Sequence, residues 1–137
     1  MFLKRMSTVI ALAGLFFAAC AYAQNPHFAD LKFSDSRDGD AMETFAPNTP
    51  KIYLHAGLED MPSGTKLSST WIAEDTNGAA PPNYKIDSVE FNVGGIVNVA
   101  TFSLSKPNAG WPVGKYRVDL FINGKASGTA HFTVEPE

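Results

Sequence analysis

Short runs in which apolar and polar residues alternate recur along this chain, and they constrain its fold more than any other feature. Side chains of a β-strand point to opposite faces in turn, so this pattern is typical of strands with one buried face. After residue 23, no stretch keeps the spacing of an amphipathic helix for long enough to predict one. The sequence therefore predicts an all-β protein.

Turn-forming residues separate the alternating runs. Clusters of Gly, Pro, Asn and Asp lie at 35–40, 46–50, 61–64 and 77–83. We predict strands at His27–Phe33, Lys51–Leu58, Thr65–Glu74, Tyr84–Val93, Ile96–Ser105, Lys115–Ile122 and Ala126–Val134. About seven strands in one domain of this size are typical of an immunoglobulin-like antiparallel β-sandwich.

The first 23 residues have the layout of a secretory signal peptide. Lys4 and Arg5 precede an apolar run over 9–20, and Ala21-Tyr22-Ala23 has the small residues of a cleavage site. We predict a signal peptide over 1–23 and a single domain over 24–137, exported to the periplasm or secreted. The apolar run is shorter than the ~20 residues of a membrane-spanning helix, so no transmembrane segment is expected.

Cys20 is the only cysteine of the chain, and it lies inside the predicted signal. The stretch 17–20 resembles the lipobox at which bacterial lipoproteins are cleaved and acylated, so lipid attachment at Cys20 is an alternative. The lipobox prefers leucine where this chain has Phe17, and the Ala-x-Ala site follows directly, so plain export is favoured. The exported domain then has no disulfide and depends on an ordinary core.

Acidic residues outnumber basic residues in the predicted domain. Removal of Lys4 and Arg5 with the signal leaves nine basic residues against 14 acidic ones. Nucleic acids and anionic membrane surfaces attract clustered Lys and Arg, and the chain has no such cluster. We therefore expect no nucleic-acid partner.

The last two predicted strands have the clearest register. Alternation points these residues inward: Tyr116, Val118, Leu120, Ile122, Ala130, Phe132 and Val134. A two-residue turn between the strands would set inward residues opposite outward ones. We therefore predict a three-residue turn over 123–125, with a left-handed residue or bulge near Gly124. The predicted pairs are Ile122–Ala126, Val118–Ala130, Tyr116–Phe132 and, on the outer face, Arg117–His131.

The segment 110–124, closed by 131–135, resembles the last two strands of bacterial extracytoplasmic immunoglobulin-like domains. The shared features are a Pro or Gly turn, a Gly-x-Tyr-x-Val pattern, a second turn and a closing Phe-x-Val. The resemblance implies that Tyr116 forms a tyrosine corner, in which the phenol bonds back to the connection before its strand. It also implies that Trp71 is the large core aromatic of the opposing sheet, and it indicates no single family.

Two groups of residues suggest metal ions without forming a recognised motif. The acidic cluster Asp35, Asp38, Asp40 and Glu43 fails the EF-hand template, because Gly39 in its glycine position places Phe45 where a carboxylate is needed. His27, with Met42 and Met61, is similar to the ligands of small periplasmic copper carriers, but residues 24–26 precede the histidine. His55 and His131 are expected to be outward sheet residues. We assign no metal ligand and no cofactor.

Motifs for catalysis are missing from the predicted domain. It has no cysteine, no Gly-x-Ser-x-Gly turn and no phosphate-binding loop. Tyr53 and Phe121 are outward aromatics, and aromatic residues are enriched in interfaces. The favoured hypothesis is a non-enzymatic module that binds an envelope or extracellular protein through a sheet face or edge, with these two aromatics as candidate contacts. The alternative is a periplasmic protein that binds a metal ion or a small ligand.

Overall fold

Two β-sheets packed face to face form the domain in a computed structural model that describes residues 25–137. The predicted signal peptide and Cys20 lie outside these residues. The strands are β1 (His27–Ser34), β2 (Thr44–Phe45), β3 (Lys51–Glu59), β4 (Lys66–Asp75), β5 (Tyr84–Asn92), β6 (Val99–Ser105), β7 (Gly114–Ile122) and β8 (Lys125–Val134). Within the described residues there is no helix long and apolar enough to cross a membrane.

The two sheets differ in size. The small sheet has the order β1-β3-β6, and the large sheet has the order β2-β8-β7-β4-β5. Neighbouring strands are antiparallel except for β2 and β8, which are parallel. The predicted immunoglobulin-like sandwich is confirmed. All seven predicted strands are present with shifted ends, and β2 is an eighth that is too short to show alternation.

An aromatic cluster fills the space between the sheets. Phe132 lies at its centre: its ring centroid is 4.9 Å from that of Tyr116 and 5.0 Å from that of Phe33. Phe45 lies 5.7 Å from Phe132 between ring centroids, and Trp71 and Trp111 each lie 6.1 Å from it. The four predicted inward residues of β7 are buried, as are Phe132 and Val134 of β8. The predicted core face of this hairpin is therefore confirmed.

Tyr116 forms the predicted tyrosine corner. Its hydroxyl donates a hydrogen bond to the carbonyl oxygen of Pro112, in the connection before β7, at 2.5 Å. The indole Nε1 of Trp111, in the same connection, donates to the carbonyl oxygen of Thr49 at 2.9 Å. Burial raises the pKa of Tyr116 to about 12. These bonds attach the 107–113 connection to the core.

The predicted place of Trp71 is wrong in one respect. Trp71 is buried in the core as expected, but its strand β4 pairs directly with β7, so Trp71 lies in the same sheet as Tyr116. Phe33 of the small sheet packs edge-on against it, with 6.4 Å between ring centroids. The resemblance implied the burial of Trp71 correctly, but local sequence patterns carry no information about which strands become neighbours.

The predicted three-residue turn of the last hairpin is also wrong. The turn has two residues, Asn123 and Gly124, both with positive φ, and Ile122 pairs with Lys125. Such a turn suits the twist of a hairpin. The register is restored further on, because Leu120 pairs with Gly128 and Phe121 with Ala126, which leaves Ser127 as a one-residue bulge. Beyond the bulge the predicted pairs Val118–Ala130, Tyr116–Phe132 and Arg117–His131 are present.

Candidate functional site

Strand β5 lies at one edge of the large sheet and is almost entirely exposed. It pairs with β4 on one side only, and Ile86 is its single half-buried residue. Its core-facing side carries Tyr84, Asp87, Val89 and Phe91, all opposite buried residues of β4, and the three apolar ones are 50%, 44% and 38% exposed. Only three strands stand opposite the five of the large sheet, so the core side of β5 is left largely uncovered.

The connection from β5 to β6 adds apolar surface on the same side of the domain. Ile96 is fully exposed, and Val97 is 40% exposed. The start of this connection is fixed, because the backbone of Val93 exchanges hydrogen bonds with Gly64 and Thr65 at 2.7 and 2.8 Å. Exposed apolar side chains grouped in this way are typical of an interaction surface.

We call this surface the open edge. It comprises Tyr84, Val89, Phe91, Ile96 and Val97. The ring of Phe91 joins it to the core, since its centroid is 5.6 Å from that of Phe102 on β6. Strand β6 is itself the edge of the small sheet, and its seven residues include no charged residue and no proline. Proteins ordinarily use such residues to block pairing at a free edge.

Tyr53, one of the two aromatics singled out from the sequence, lies on the outer face of the small sheet. It is half-buried rather than freely exposed. Its ring stacks on the imidazole of His55 with centroids 6.2 Å apart, and the Nζ of Lys51 lies 5.9 Å from the ring centroid. Its neighbours on this face are therefore polar and basic.

Phe121, the second aromatic, lies on the outer face of the large sheet. It is also half-buried, opposite Ser68 of β4 and Ala126 of β8. The outer faces of the two sheets point away from each other. Tyr53 and Phe121 therefore cannot form one contact patch, and neither belongs to the open edge.

His55 is held by two hydrogen bonds across the small sheet. The hydroxyl of Ser34 donates to the carbonyl oxygen of Ser36, so it accepts from His55 Nε2 at 3.0 Å. His55 Nδ1 then accepts from the hydroxyl of Thr101 at 3.1 Å. Burial, and next the charge of Lys32, lower the pKa of His55. The arrangement favours a neutral imidazole.

An open cavity of about 650 Å³ lies beside His55. Charged side chains of both signs line it: Asp30, Lys32, Arg37, Asp38 and Glu59. The irregular backbone of β1 forms part of its wall, because Asp30 has φ 53° and interrupts the pairing with β3 between Ala29 and Lys32. Ala56, Leu58 and Val99 also contribute to the lining, so the cavity combines charged and apolar groups.

The outer face of the large sheet carries a charged network around Arg117. The guanidinium donates to Glu74 at 3.1 Å, to Asn83 at 2.9 Å and to Asp119 at 3.1 Å. Burial acts to lower the pKa of Arg117, but these carboxylates raise it overall. His131 Nε2 lies 3.9 Å from Glu74. Each of these charged groups has a partner within the network, which is typical of a structural arrangement on a sheet face.

The residues considered for metal binding do not converge. Within residues 25–137, no three His, Cys, Asp or Glu side chains lie close enough to hold a metal ion. The acidic cluster forms a turn closed by backbone bonds, from Gly39 to Ser36 at 3.2 Å and from Met42 to Phe33 at 2.8 Å. His27 bonds to the carbonyl oxygen of Asn25 at the start of the described chain.

The open edge was missed by the sequence analysis. Its strand was predicted, since Tyr84, Val89 and Phe91 belong to an alternating run, but alternation does not reveal that the opposing sheet stops short. One signal was available: Ile96 and Val97 are adjacent apolar residues between Gly95 and Asn98, where a turn would normally be polar.

Solved structures with a similar backbone path include proteins of diverse activity. An immunoglobulin-like protein from Pseudomonas aeruginosa is 12% identical, with a TM-score of 0.48, over 82% of this chain and 94% of that chain. A superoxide reductase (neelaredoxin) from Ignicoccus hospitalis is 15% identical, with a TM-score of 0.47, over 86% and 87%.

A β-D-glucoside glucohydrolase from Trichoderma reesei is 13% identical, with a TM-score of 0.48, over 82% of this chain. The present chain spans only 19% of that enzyme. No protein-family model and no curated protein matches the sequence.

Proposed function

We propose that this protein is an exported, non-enzymatic module that binds another protein chain through the open edge. The exposed apolar side chains at β5 and in the β5–β6 connection carry this proposal. Their burial is worth about 25 cal/mol per Å² of apolar surface, so contact with a partner would be favourable. The two aromatics predicted as contacts, Tyr53 and Phe121, are replaced in this role by Phe91, Ile96 and Val97.

Site-specific photocrosslinking in cells tests the binding proposal. A benzophenone amino acid at Ile96, which is fully exposed, is expected to give a discrete crosslinked product. The matched control places the same group at Lys115, an exposed position on the outer face of the large sheet. Equal products from both positions, or none from Ile96, would reject the open edge as the binding surface.

Export is a separate part of the proposal and has its own test. The signal-like layout of residues 1–23 supports it. Terminal sequencing of the protein from the envelope fraction is expected to begin at Gln24. A fatty acid attached at Cys20 would instead establish the lipoprotein alternative.

Small-ligand binding is the second candidate function, and the cavity beside His55 favours it. Its lining of both charge signs would suit a zwitterionic ligand. NMR titration with free amino acids as probes is expected to shift the resonances of Lys32 and Arg37 if this function is correct. Unchanged spectra at millimolar concentration would remove it.

A further inference from the structure

Strand β5 is complementary to itself, and we propose that a second copy of this chain pairs with it in antiparallel orientation. This inference rests on the proposed function, because it names the partner of the same open edge. The pairing would join two large sheets into one continuous sheet across a twofold axis through Ser88. Closed twofold dimers are the most common assemblies of identical chains.

The irregularity of β5 sets the register of this pairing. Trp71 pairs with Asp87 and Ile72 pairs with Lys85, so Ile86 is an extra residue in β5. In a joined sheet, the side chains before and after Ile86 therefore face the same sides as their partners only if the partner strand leaves Ile86 unpaired. With Ser88 opposite Ser88 of the second copy, Asp87 lies opposite Val89, and beyond them the bulge places Lys85 opposite Glu90 and Tyr84 opposite Phe91.

Charge complementarity favours a second copy over an unrelated strand. Lys85 and Glu90 both lie on the outer face, since their partners on β4, Ile72 and Ser68, pair in turn with the outer-face residues Arg117 and Phe121 of β7. Each copy contributes one of each, so the dimer contains two Lys85–Glu90 pairs. Opposite charges directly across an antiparallel pair stabilise it, and like charges destabilise it.

Apolar contacts on the core side agree with the same register. Tyr84 and Phe91 lie opposite Ala73 and Leu67 of β4, both buried, so both aromatic residues point to the core side. The twofold axis brings Tyr84 of each copy beside Phe91 of the other. Aromatic cross-strand pairs are favourable, and these two would cover exposed apolar surface at both ends of β5.

Bulges and lysines at an edge usually discourage pairing with other strands. Here both features fit a partner that carries the same bulge and an opposing carboxylate. A strand of another sequence would lack the matching bulge and carboxylate, so the edge is selective for a second copy.

Charge reversal tests the pairing in the folded protein without its signal. Sedimentation velocity is expected to show a concentration-dependent dimer for the wild type and about tenfold weaker dimerisation for Lys85→Glu and for Glu90→Lys. An equimolar mixture of the two variants is expected to regain the dimer, because opposite charges then face each other at both pairs of positions across the twofold axis. Lys125→Glu, an exposed reversal on β8, is the control and should leave the dimer unchanged.

Three outcomes would overturn the inference. The wild type could stay monomeric at millimolar concentration, both charge-reversal variants could dimerise as strongly as the wild type, or the mixture of the two variants could fail to form the dimer. Circular dichroism of each variant checks that the fold is intact. A monomeric protein that still gives a specific crosslink from Ile96 would leave the proposed function standing and reject only self-pairing. A monomeric protein that gives no specific crosslink from Ile96 would reject both self-pairing and the proposed function.

Discussion

At the scale of single residues, the tyrosine corner makes the stability of the fold depend on the protonation of one phenol. The hydroxyl of Tyr116 is buried and donates to the carbonyl oxygen of Pro112. Because the folded state raises its pKa from 10.0 to about 12, folding favours the protonated phenol. This contribution to stability is complete below pH 10 and is lost as the pH rises from 10 towards 12.

Replacement of Tyr116 by Phe is expected to lower the free energy of unfolding by about 0.5–1.5 kcal/mol at pH 8, because one intramolecular hydrogen bond is lost. The difference from the wild type should shrink by about 1 kcal/mol at pH 11, since only the wild type loses the phenol contribution. Urea unfolding followed by tryptophan fluorescence at the two pH values measures both effects. A difference that stays constant between pH 8 and pH 11 would contradict this account.

His55 is expected to have the opposite effect to Tyr116, because its contribution to stability is lost as the pH falls. Its pKa is lowered by burial and by Lys32 and Arg37, against the opposing effect of Asp38 and the Ser36 backbone. The neutral imidazole is therefore the form favoured by folding, so its contribution is complete above the ordinary pKa of 6.5 and declines as the pH falls below it.

His55→Gln should make stability less dependent on pH between 7 and 5 than it is in the wild type. The comparison variant is His131→Gln, which removes a histidine whose side chain is 63% exposed. Thermal unfolding across this pH range provides the measurement. An identical acid response in all three proteins would show that His55 is not the responsible group.

At the scale of strands and turns, the last hairpin shows what alternation can and cannot predict. The inward residues of β7 and the pairs beyond Ser127 followed from the period of two. The turn did not, because the argument assumed an unbroken ladder, whereas a bulge at Ser127 absorbs one residue. The Asn-Gly dipeptide favours a two-residue turn by itself, and that local preference prevailed.

Glycines at the two ends of β7 are expected to differ in their tolerance of a methyl group. At Gly114, with φ +155°, a Cβ would lie 2.1 Å from the carbonyl oxygen of Asp75, which is fixed backbone. At Gly124, with φ +81°, nothing lies within 4 Å of the added carbon. Gly124→Ala should therefore cost about 1 kcal/mol from backbone strain alone, and Gly114→Ala more than about 3 kcal/mol.

Chemical denaturation of the two glycine variants measures this difference directly. The Gly124 variant is the matched control, because it changes the same residue type on the same strand pair. Equal losses of stability would mean that the chain near Asp75 can move away from the new side chain.

At the scale of the whole molecule, the two sides of the sandwich are unequal. The chain crosses between the sheets from β1 to β2, and a backbone pair between Phe33 and Met42 joins this crossing to β1. On the other side the chain crosses from β5 to β6, and no residue of that connection, 93–98, belongs to a strand or a backbone bridge. Fold class could be predicted from alternation and turns, but this asymmetry depends on strand order, which local patterns do not encode.

Hydrogen exchange should follow this asymmetry. At low protein concentration, amides of β5 are expected to exchange fastest among the long strands, because the strand is exposed on one edge and on both faces. Amides of β3, β4 and β7 should exchange slowest, since each of these strands is paired on both sides. Mass spectrometry of labelled peptides gives the ranking, and protection of β5 equal to that of β7 would contradict it.

The parallel pairing of β2 with β8 bears on how the domain resists mechanical tension. Pulling the two chain ends apart would, once β1 has yielded, slide these strands along each other in opposite directions. The bonds from Thr133 to Glu43 and from Glu135 to Phe45, at 2.9 and 3.0 Å, would then stretch together instead of opening one after another. A strand of two residues would thus act as a shear clamp between the two termini.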